Sequence, residues 1–431
     1  MSCAASISIS LRSVPHDQAR SNPPAVRLQV ATPAARAHRQ PGRLELRAFA
    51  GLSLASAAIS IDLILPAFGR IRTDLGLAPD SAATAGLVTA FFLGMAVGPI
   101  PFGLLADRFG RRWVLLSTCA LFVGGALAAS VVPSLHWMLW ARFAWGLGAA
   151  GLRVIAVATI RDRFVGADMA REMAFAMAVF VIVPVIAPAL GAGLIKFMPW
   201  RGTFVICAVF GLAIAVWSLT LPETLPVERR QPLQIQQVGI ATMAIVRSRA
   251  ALLYTLASVL IFGAFSSYLA TSERVIDEVF HRRSWFPFVF GGTAVLMGIA
   301  SMAVGRNVER IGVDRLIRLT LIVYSAAAVA MYAVSRAAGG HPSFWPFMVL
   351  LSVVLVGYNV LLSNLNSAAM VPVGHVAATA AAVYATVTTA AGAVFGQRLD
   401  KAFDGTVNPF SLAFAVAGIL SLGMVLALRR S

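Results

Sequence analysis

Residues 103–112 read GLLADRFGRR, and this charged stretch lies between two long apolar runs at 89–102 and 113–129. Of the 431 residues, 59% are hydrophobic and only 12% are charged, whereas charged residues make up about 25% of a typical soluble domain. Apolar runs long enough to cross a hydrocarbon core about 30 Å thick as helices recur along the chain. The charged stretch is therefore predicted to be a loop between two membrane spans.

The apolar runs predict an all-α membrane protein with about twelve transmembrane helices. No run alternates apolar and polar residues in the way that a membrane barrel requires. The predicted spans lie near residues 48–68, 82–105, 113–132, 136–160, 173–195, 201–221, 250–272, 285–305, 316–336, 344–367, 375–398 and 409–428.

The charged stretch has a weak copy later in the chain. Residues 305–315 read GRNVERIGVDR and repeat the spacing of the two glycines and the acid in 103–112. The same offset carries the first span onto the seventh, so the sequence predicts two six-helix halves, an arrangement found in one large class of secondary transporters. The predicted divisions are a disordered cytoplasmic tail at 1–47, an N-terminal half at 48–221, a cytoplasmic linker at 222–249 and a C-terminal half at 250–431.

The net charge of +17 is spread along the chain. Arginines lie between spans instead of on one soluble domain, so no nucleic-acid partner is expected. Arginine and lysine are more frequent in the loops on the side of the tail, which predicts an inner-membrane protein with both termini in the cytoplasm. A monomer is expected.

Neither a metal nor a cofactor is predicted. The six histidines have no ligand spacing, and no nucleotide-binding glycine loop or zinc-protease motif occurs, so an enzyme is not expected. The cysteines have no paired or metal-binding spacing and are interpreted as structural. They are Cys3, Cys119 and Cys207.

Asp62 lies inside the first predicted span, where a carboxylate costs about 2.5–3.5 kcal/mol. Helix geometry places both Asp62 and Arg142 of the fourth span about 9 Å from the same membrane surface. Opposite charges at one level can pair, and a change in that pairing can load or release a proton. We expect Asp62 to carry the proton and Arg142 to tune it. The alternatives are that the two residues form a static structural pair, or that Asp62 only approaches the outer membrane interface.

The chain resembles the major facilitator superfamily, because GLLADRFGRR matches its signature between spans 2 and 3. More narrowly, it is similar to the bicyclomycin/chloramphenicol resistance (Bcr/CflA-type) branch of drug:proton antiporters. The segments that carry this resemblance are SIDLILPAF at 60–68, ARFAWGLGAAG at 141–151, IRDRF at 160–164, VIAPALGAG at 185–193, WRGTF at 200–204 and LPETL at 221–225. Departures from the pattern are Trp145, where glutamine is usual, together with Ala187 and Ala192, where glycine is usual.

The resemblance implies that the charged stretch is a gate on the cytoplasmic side, with Asp107 near the start of span 11. Gly103 is expected to allow close helix packing. The alternative is that the stretch only sets topology. The candidate gating residues are Gly103, Asp107, Arg108, Gly110, Arg111 and Arg112.

In span 5 the resemblance implies an antiporter helix that limits leak. Prolines remove backbone hydrogen bonds and glycines permit close contact, so this helix is expected to be kinked and tightly packed; a plain kink is the alternative. The residues concerned are Pro184, Pro188, Gly191 and Gly193.

Polar and aromatic residues within the spans are candidates for a substrate cavity, or alternatively for packing or lipid contact. They are Trp145, Tyr268, Tyr358, Asn359, Asn364 and Tyr384.

The predicted function is proton-coupled efflux of small, partly hydrophobic compounds by alternating access. The alternatives are a symporter or exporter of a polar metabolite, and a membrane sensor or enzyme.

Overall fold

A computed structural model describes residues 42–78 and 81–428, without the side chains of 306–309. Residues 1–41, which belong to the predicted disordered tail, lie outside the described part. All regular elements within the described residues are helical.

The first half of the chain forms eight α-helices, some of which join into one span. A short 3₁₀ turn joins α1 to α2, and Gly98 separates α3 from α4, so each pair crosses the membrane once. The helices are α1 (Arg43–Asp62), α2 (Phe68–Asp74), α3 (Ala85–Val97), α4 (Pro99–Phe109), α5 (Arg111–Val131), α6 (Leu135–Arg163), α7 (Gly166–Phe197) and α8 (Arg201–Thr220).

The second half begins with a short helix in the linker and continues with six long helices. A single π-helical turn, Val275–Val279, extends α10. The helices are α9 (Ile235–Arg247), α10 (Arg249–Arg274), α11 (Phe286–Ile311), α12 (Val313–Ala337), α13 (Phe344–Met370), α14 (Ala377–Asp400) and α15 (Asn408–Ala427).

The number of membrane spans agrees with the prediction. Eleven continuous helical stretches of the described residues are long and apolar enough to cross a membrane. One of them, Phe344–Asp400, contains α13 and α14, joined by the 3₁₀ turn Val371–Val376, and counting these two separately gives twelve. Because twelve is even, α1 begins and α15 ends on the same side of the bundle. We call this side the terminal face and the other the opposite face.

Two predicted boundaries differ from the structure. The first helix begins at Arg43, so residues 43–47 are helical and not part of a disordered tail. Their helix is held in place because Leu46 is buried and Arg47 binds Glu172 of α7 through two nitrogen–oxygen contacts of 2.5 and 2.8 Å. The predicted linker at 222–249 contains α9, whose Ala241 and Ile245 are buried. Both corrections have the same cause, an apolar face at helical spacing within a polar segment.

Glycines bring α3 and α6 into backbone contact within the first half. A Cβ on Gly94 would lie 2.0 Å from the carbonyl oxygen of Phe143, and one on Gly146 would lie 2.0 Å from that of Phe91. Small residues at such crossings allow van der Waals contact between helices that share the same apolar solvent. The two helices that hold Arg142 and its neighbours are therefore fixed closely to each other.

The two most extensive contacts between the halves, among the described residues, are helix crossings. In the first, α14 packs on α3, and the Thr386 hydroxyl donates a 2.8 Å hydrogen bond to the Ala96 carbonyl. In the second, α7 packs on α11, where a Cβ on Gly291 would lie 2.9 Å from the carbonyl oxygen of Val185. We call the boundary between the halves the seam.

Candidate functional site

Asp62 is the last residue of α1 and is buried, with 4% of its surface exposed. The 3₁₀ turn Leu65–Ala67, which begins three residues after Asp62, packs on α10 of the other half. The acid therefore lies at the seam and does not face lipid. No ion pair to Asp62 is found among the described residues.

Arg142 on α6 is fully buried and is held by backbone oxygens. Its Nη1 donates to the Ser60 carbonyl at 2.9 Å, and its Nε donates to the Leu87 carbonyl at 3.2 Å. The guanidinium also lies over the rings of Phe91 and Trp145, 4.5 and 4.7 Å from their centroids. The predicted ion pair with Asp62 is thus not formed in this state.

Helix ends explain why Arg142 has this partner. The last four carbonyls of an α-helix have no partner within the helix, and a cation is favoured at that end. Ser60 belongs to the last turn of α1, so Arg142 caps the helix whose final residue is Asp62. The Nη2 of Arg142 is buried without a hydrogen-bond partner. Arg142 therefore keeps one free donor next to the end of α1.

The charged stretch 103–112 is anchored within its own half. Arg111 contacts Asp107 at 2.6 Å and Asp162 at 3.0 Å. The carboxylate of Glu223, at the start of the linker, accepts hydrogen bonds from the backbone nitrogens of Arg111 and Arg112 at 2.8 and 3.1 Å. Gly110 between the two helices has a φ of +97°, a conformation that favours glycine.

Several details of the predicted gate need correction. The Asp107 carboxylate binds Arg111, one turn away on the adjoining helix, and its backbone carbonyl accepts from Gln231 of the linker at 3.0 Å. Although α4 packs on α14, no hydrogen bond or ion pair between Asp107 and α14 is found among the described residues. No atom lies within 4 Å of a Cβ placed on Gly103, so this glycine does not mark a close helix contact. Arg108 is exposed. Arg112 donates to the Leu219 carbonyl at 2.9 Å.

The proline-rich helix α7 is continuous across Pro184 and Pro188. A Cβ on Gly191 would lie 2.1 Å from the carbonyl oxygen of Leu63, so α7 touches the chain directly after Asp62. By contrast, a Cβ on Gly193 would meet nothing within 4 Å, and this residue lines a cavity. The tight packing predicted for this helix is present at Gly191 and absent at Gly193.

A cavity of about 1610 Å³ lies between the halves at the opposite face. Its walls come from α2, the end of α7, the end of α10 and the start of α11. Arg72 and Glu273 form an ion pair at its edge, with Nη2 and Oε2 3.2 Å apart, and both residues are buried. Arg72 also lies 3.5 Å from Glu278. This pair joins the two halves.

None of the predicted substrate residues lines this cavity. Trp145 lies in a cluster of edge-to-face rings with Phe91, Phe122 and Phe204. The Asn359 side chain donates to the Met297 carbonyl at 3.0 Å. Both residues pack helices against one another in this state.

The three tyrosines are also engaged within the second half. Tyr384 and Ser258 share a hydrogen bond of 2.5 Å. Tyr358 stacks on Phe265 with centroids 3.9 Å apart, and Tyr268 stacks on Phe290 at 5.7 Å. Asn364 bonds to a carbonyl of its own helix.

Sequence reasoning missed Arg72, Glu273 and Asp400, which are all buried. They lie at the ends of predicted spans, where charged residues are normally assigned to solvent-facing loops. The available signal was the short distance in sequence from an apolar run. Within the described residues, no group of three or more histidine, cysteine, aspartate or glutamate side chains is placed to hold a metal ion.

Two bundles of six spans, with buried charges at the seam and a cavity between them, define a secondary transporter of the alternating-access class. The profile of the Major Facilitator Superfamily matches residues 50–396, and the chain belongs to this superfamily. The bicyclomycin resistance protein homolog of Haemophilus influenzae is 25% identical over 364 residues, which cover 84% of this chain and 90% of the relative. The chain is therefore a transporter and not an enzyme.

Two further proteins are similar. The multidrug resistance protein MdtL of Escherichia coli O81 (strain ED1a) is 34% identical over 170 residues, 38% of this chain and 42% of MdtL. The xylose transporter XylE from E. coli, solved in a partially occluded inward open conformation, shares the fold with a TM-score of 0.70 at 12% identity, covering 90% of this chain and 97% of XylE. The chain is thus a multi-pass inner-membrane protein of this superfamily, and two of its relatives are named for resistance to bicyclomycin and to multiple drugs.

Proposed function

We propose that the protein exports small, partly hydrophobic compounds across the inner membrane in exchange for protons, as a monomer with both termini in the cytoplasm. Its relatives include a bicyclomycin resistance protein homolog and a multidrug resistance protein. The observation that supports coupling of export to protons is the position of Asp62, a buried acid at the seam without an ion pair among the described residues. A carboxyl group in that position is stable when protonated and costly when charged.

The geometry around Asp62 supports a role as the proton carrier. In this state Arg142 is occupied by the carbonyls of Ser60 and Leu87, so a neutral carboxyl group is favoured. A shift of α1 that brings the free Nη2 of Arg142 to the carboxylate would stabilise the charged form and release the proton. If the exported compound binds only after Asp62 has released its proton, the transporter carries substrate and proton alternately, which is antiport.

The two faces of the bundle supply the gates. At the terminal face, the charged stretch 103–112 is tied to α6 through Asp162 and to the linker through Glu223. At the opposite face, the Arg72–Glu273 pair bridges the halves. Alternating access requires that one face open while the other is closed. Breaking the pair at the opposite face would let the halves separate there.

A second candidate function is transport of a polar solute. The cavity at the opposite face supports it, because charged residues from both halves contribute to its walls, among them Arg70, Lys196 and Asp277. Apolar side chains share the lining, including Phe286 and Phe288. The mixed lining suits a compound with both polar and apolar parts.

The test uses inverted membrane vesicles that contain the full chain and have been acidified inside by respiration. Bicyclomycin added outside should release protons from vesicles with the wild type and not from vesicles with Asp62→Asn. Asp404→Asn is the matched control, because Asp404 is exposed in the loop after α14, and it should behave as the wild type. Equal release with Asp62→Asn would remove Asp62 as the carrier. A gradient dissipated by sugars or amino acids and not by bicyclomycin would favour the second function.

A further inference from the structure

A second acid lies buried in the other half. Asp400 is the last residue of α14 and has 1% of its surface exposed. Its Oδ1 accepts a 2.6 Å hydrogen bond from the hydroxyl of Ser267 on α10. The side chain is therefore enclosed by protein at the junction of α10 and α14.

No cation in the described part of the chain forms an ion pair with Asp400. The charge of Arg274 acts on it from a distance, but the guanidinium of Arg274 is bound to Glu278 through contacts of 3.0 and 3.2 Å and lies 4.2 Å from the ring centroid of Phe403. Arg398 and Lys401, its neighbours along the chain, are exposed. A negative charge on Asp400 would thus be largely uncompensated, and a buried group in that position keeps its proton.

The second acid is connected to the first through one helix. Ser267 of α10 bonds to Asp400, and α10 also packs on the 3₁₀ turn Leu65–Ala67 that follows Asp62. One acid belongs to each half, and α10 lies between them. A movement of α10 relative to α1 and α14 changes the surroundings of both carboxyl groups.

We propose that Asp400 is a second proton-binding residue of this transporter, holding a proton while α10 and α14 are packed together and exchanging it when their contact opens. This rests on the proposed antiport function. It implies that about two protons are exchanged for each exported molecule, one from Asp62 and one from Asp400, since each site that changes protonation between two states contributes one proton to the linkage.

The first experiment needs no substrate. Infrared spectra of the purified full chain in lipid at neutral pH report protonated carboxyl groups through their carbonyl band. Asp400→Asn should remove one component of that band, because asparagine has no carboxyl group but can still accept from Ser267. Asp404→Asn should leave the band unchanged, and Asp400→Glu should restore the missing component at a shifted position. A band unaltered by Asp400→Asn would overturn the proposal.

The second experiment counts protons in inverted vesicles, with bicyclomycin as the probe. The ratio of protons released to bicyclomycin taken up should fall by about half in Asp400→Asn and stay at the wild-type value in Asp404→Asn. An unchanged ratio in Asp400→Asn would overturn the coupling of this residue. If the wild type moves no bicyclomycin, the antiport function fails with this probe, while the infrared result still decides whether Asp400 holds a proton.

Discussion

At the scale of single residues, the site depends on what one arginine binds. Arg142 has two kinds of partner, two backbone carbonyls and two aromatic faces, and its Nη2 is left without a partner. A guanidinium can serve all of these at once because its donors are arranged in a fixed plane. The residue thus fixes the end of α1 and remains able to change partner.

Replacing Arg142 by lysine tests this arrangement. Lysine keeps the charge but cannot reach the Ser60 and Leu87 carbonyls in the same plane, so Arg142→Lys should lower the free energy of unfolding by about 1.5–3 kcal/mol. It should also abolish bicyclomycin-driven proton release. Stability is measured by thermal unfolding in detergent, with Arg108→Lys as the exposed control. A variant as stable as the wild type would contradict the capping role.

The sequence could predict that Asp62 is buried, because an acid inside an apolar run must be either paired or enclosed. It could not predict the partner of Arg142. The choice between the Asp62 carboxylate and the Ser60 carbonyl depends on where α1 ends, and helix ends are uncertain by a few residues in sequence. Likewise, Asp400 was placed beyond the predicted eleventh span, so its burial was not foreseen.

At the scale of helices, the decisive contacts are those in which glycine lets two backbones touch. Gly146 is the clearest case, because a Cβ there would lie 2.0 Å from a backbone oxygen on α3. A backbone atom cannot move aside as a flexible side chain can. The crossing of α3 and α6 therefore tolerates no added atom.

Alanine substitution tests this crossing. Gly146→Ala should destabilise the protein by about 1–3 kcal/mol, because the helices must move apart. Gly124→Ala is the matched control: nothing lies within 4 Å of its Cβ position, and alanine is the better helix former by about 0.5–1 kcal/mol. Thermal unfolding of both purified variants should show a lower midpoint for Gly146→Ala alone. Equal midpoints would count against backbone contact at the crossing.

The helices themselves were largely predictable, since long apolar runs identify spans without knowledge of their packing. The sequence-based predictions that differ from the structure concern single segments and side chains. Helix α9 was missed because its buried residues, Ala241 and Ile245, lie in a polar linker. The candidate substrate residues do not line the cavity of this state, and a polar side chain inside a span can bond to a neighbouring helix, as Asn359 does, as readily as it can face a cavity.

At the scale of the whole molecule, the opposite face is held by a buried ion pair across the seam. Breaking a buried pair by removing one partner leaves an uncompensated charge and is strongly destabilising. Glu273 has a further weakness, because its Oε1 is buried without a hydrogen-bond partner. The Arg72–Glu273 contact is thus the place where the closed state is most easily disturbed.

Spin labels at Thr73→Cys and Ser284→Cys, one in each half, measure the opening directly. Arg72 contacts two carboxylates of the second half, Glu273 at 3.2 Å and Glu278 at 3.5 Å. Glu273→Gln removes the nearer charge, so the distribution of label distances should shift to longer values. In the protein with native Glu273, lowering the pH should also lengthen the label distances, because protonation of Glu273 removes its attraction for Arg72. In Glu273→Gln this lengthening at low pH should be lost. Glu228→Gln, in the exposed linker, serves as the control. Distances that stay short in Glu273→Gln would exclude this pair as the closure.

Helix α7 contacts both halves, with Gly191 against the Leu63 carbonyl and Val185 against Gly291. Neither contact has a side chain between the two backbones that could yield. Residues 185–191 form about two continuous turns of helix between these contacts. When the second half rotates, this segment must transmit the displacement to the peptide that follows Asp62. The position of the second half would then affect the surroundings of the Asp62 carboxyl group through direct contact between helices, before any solute or water reaches that group.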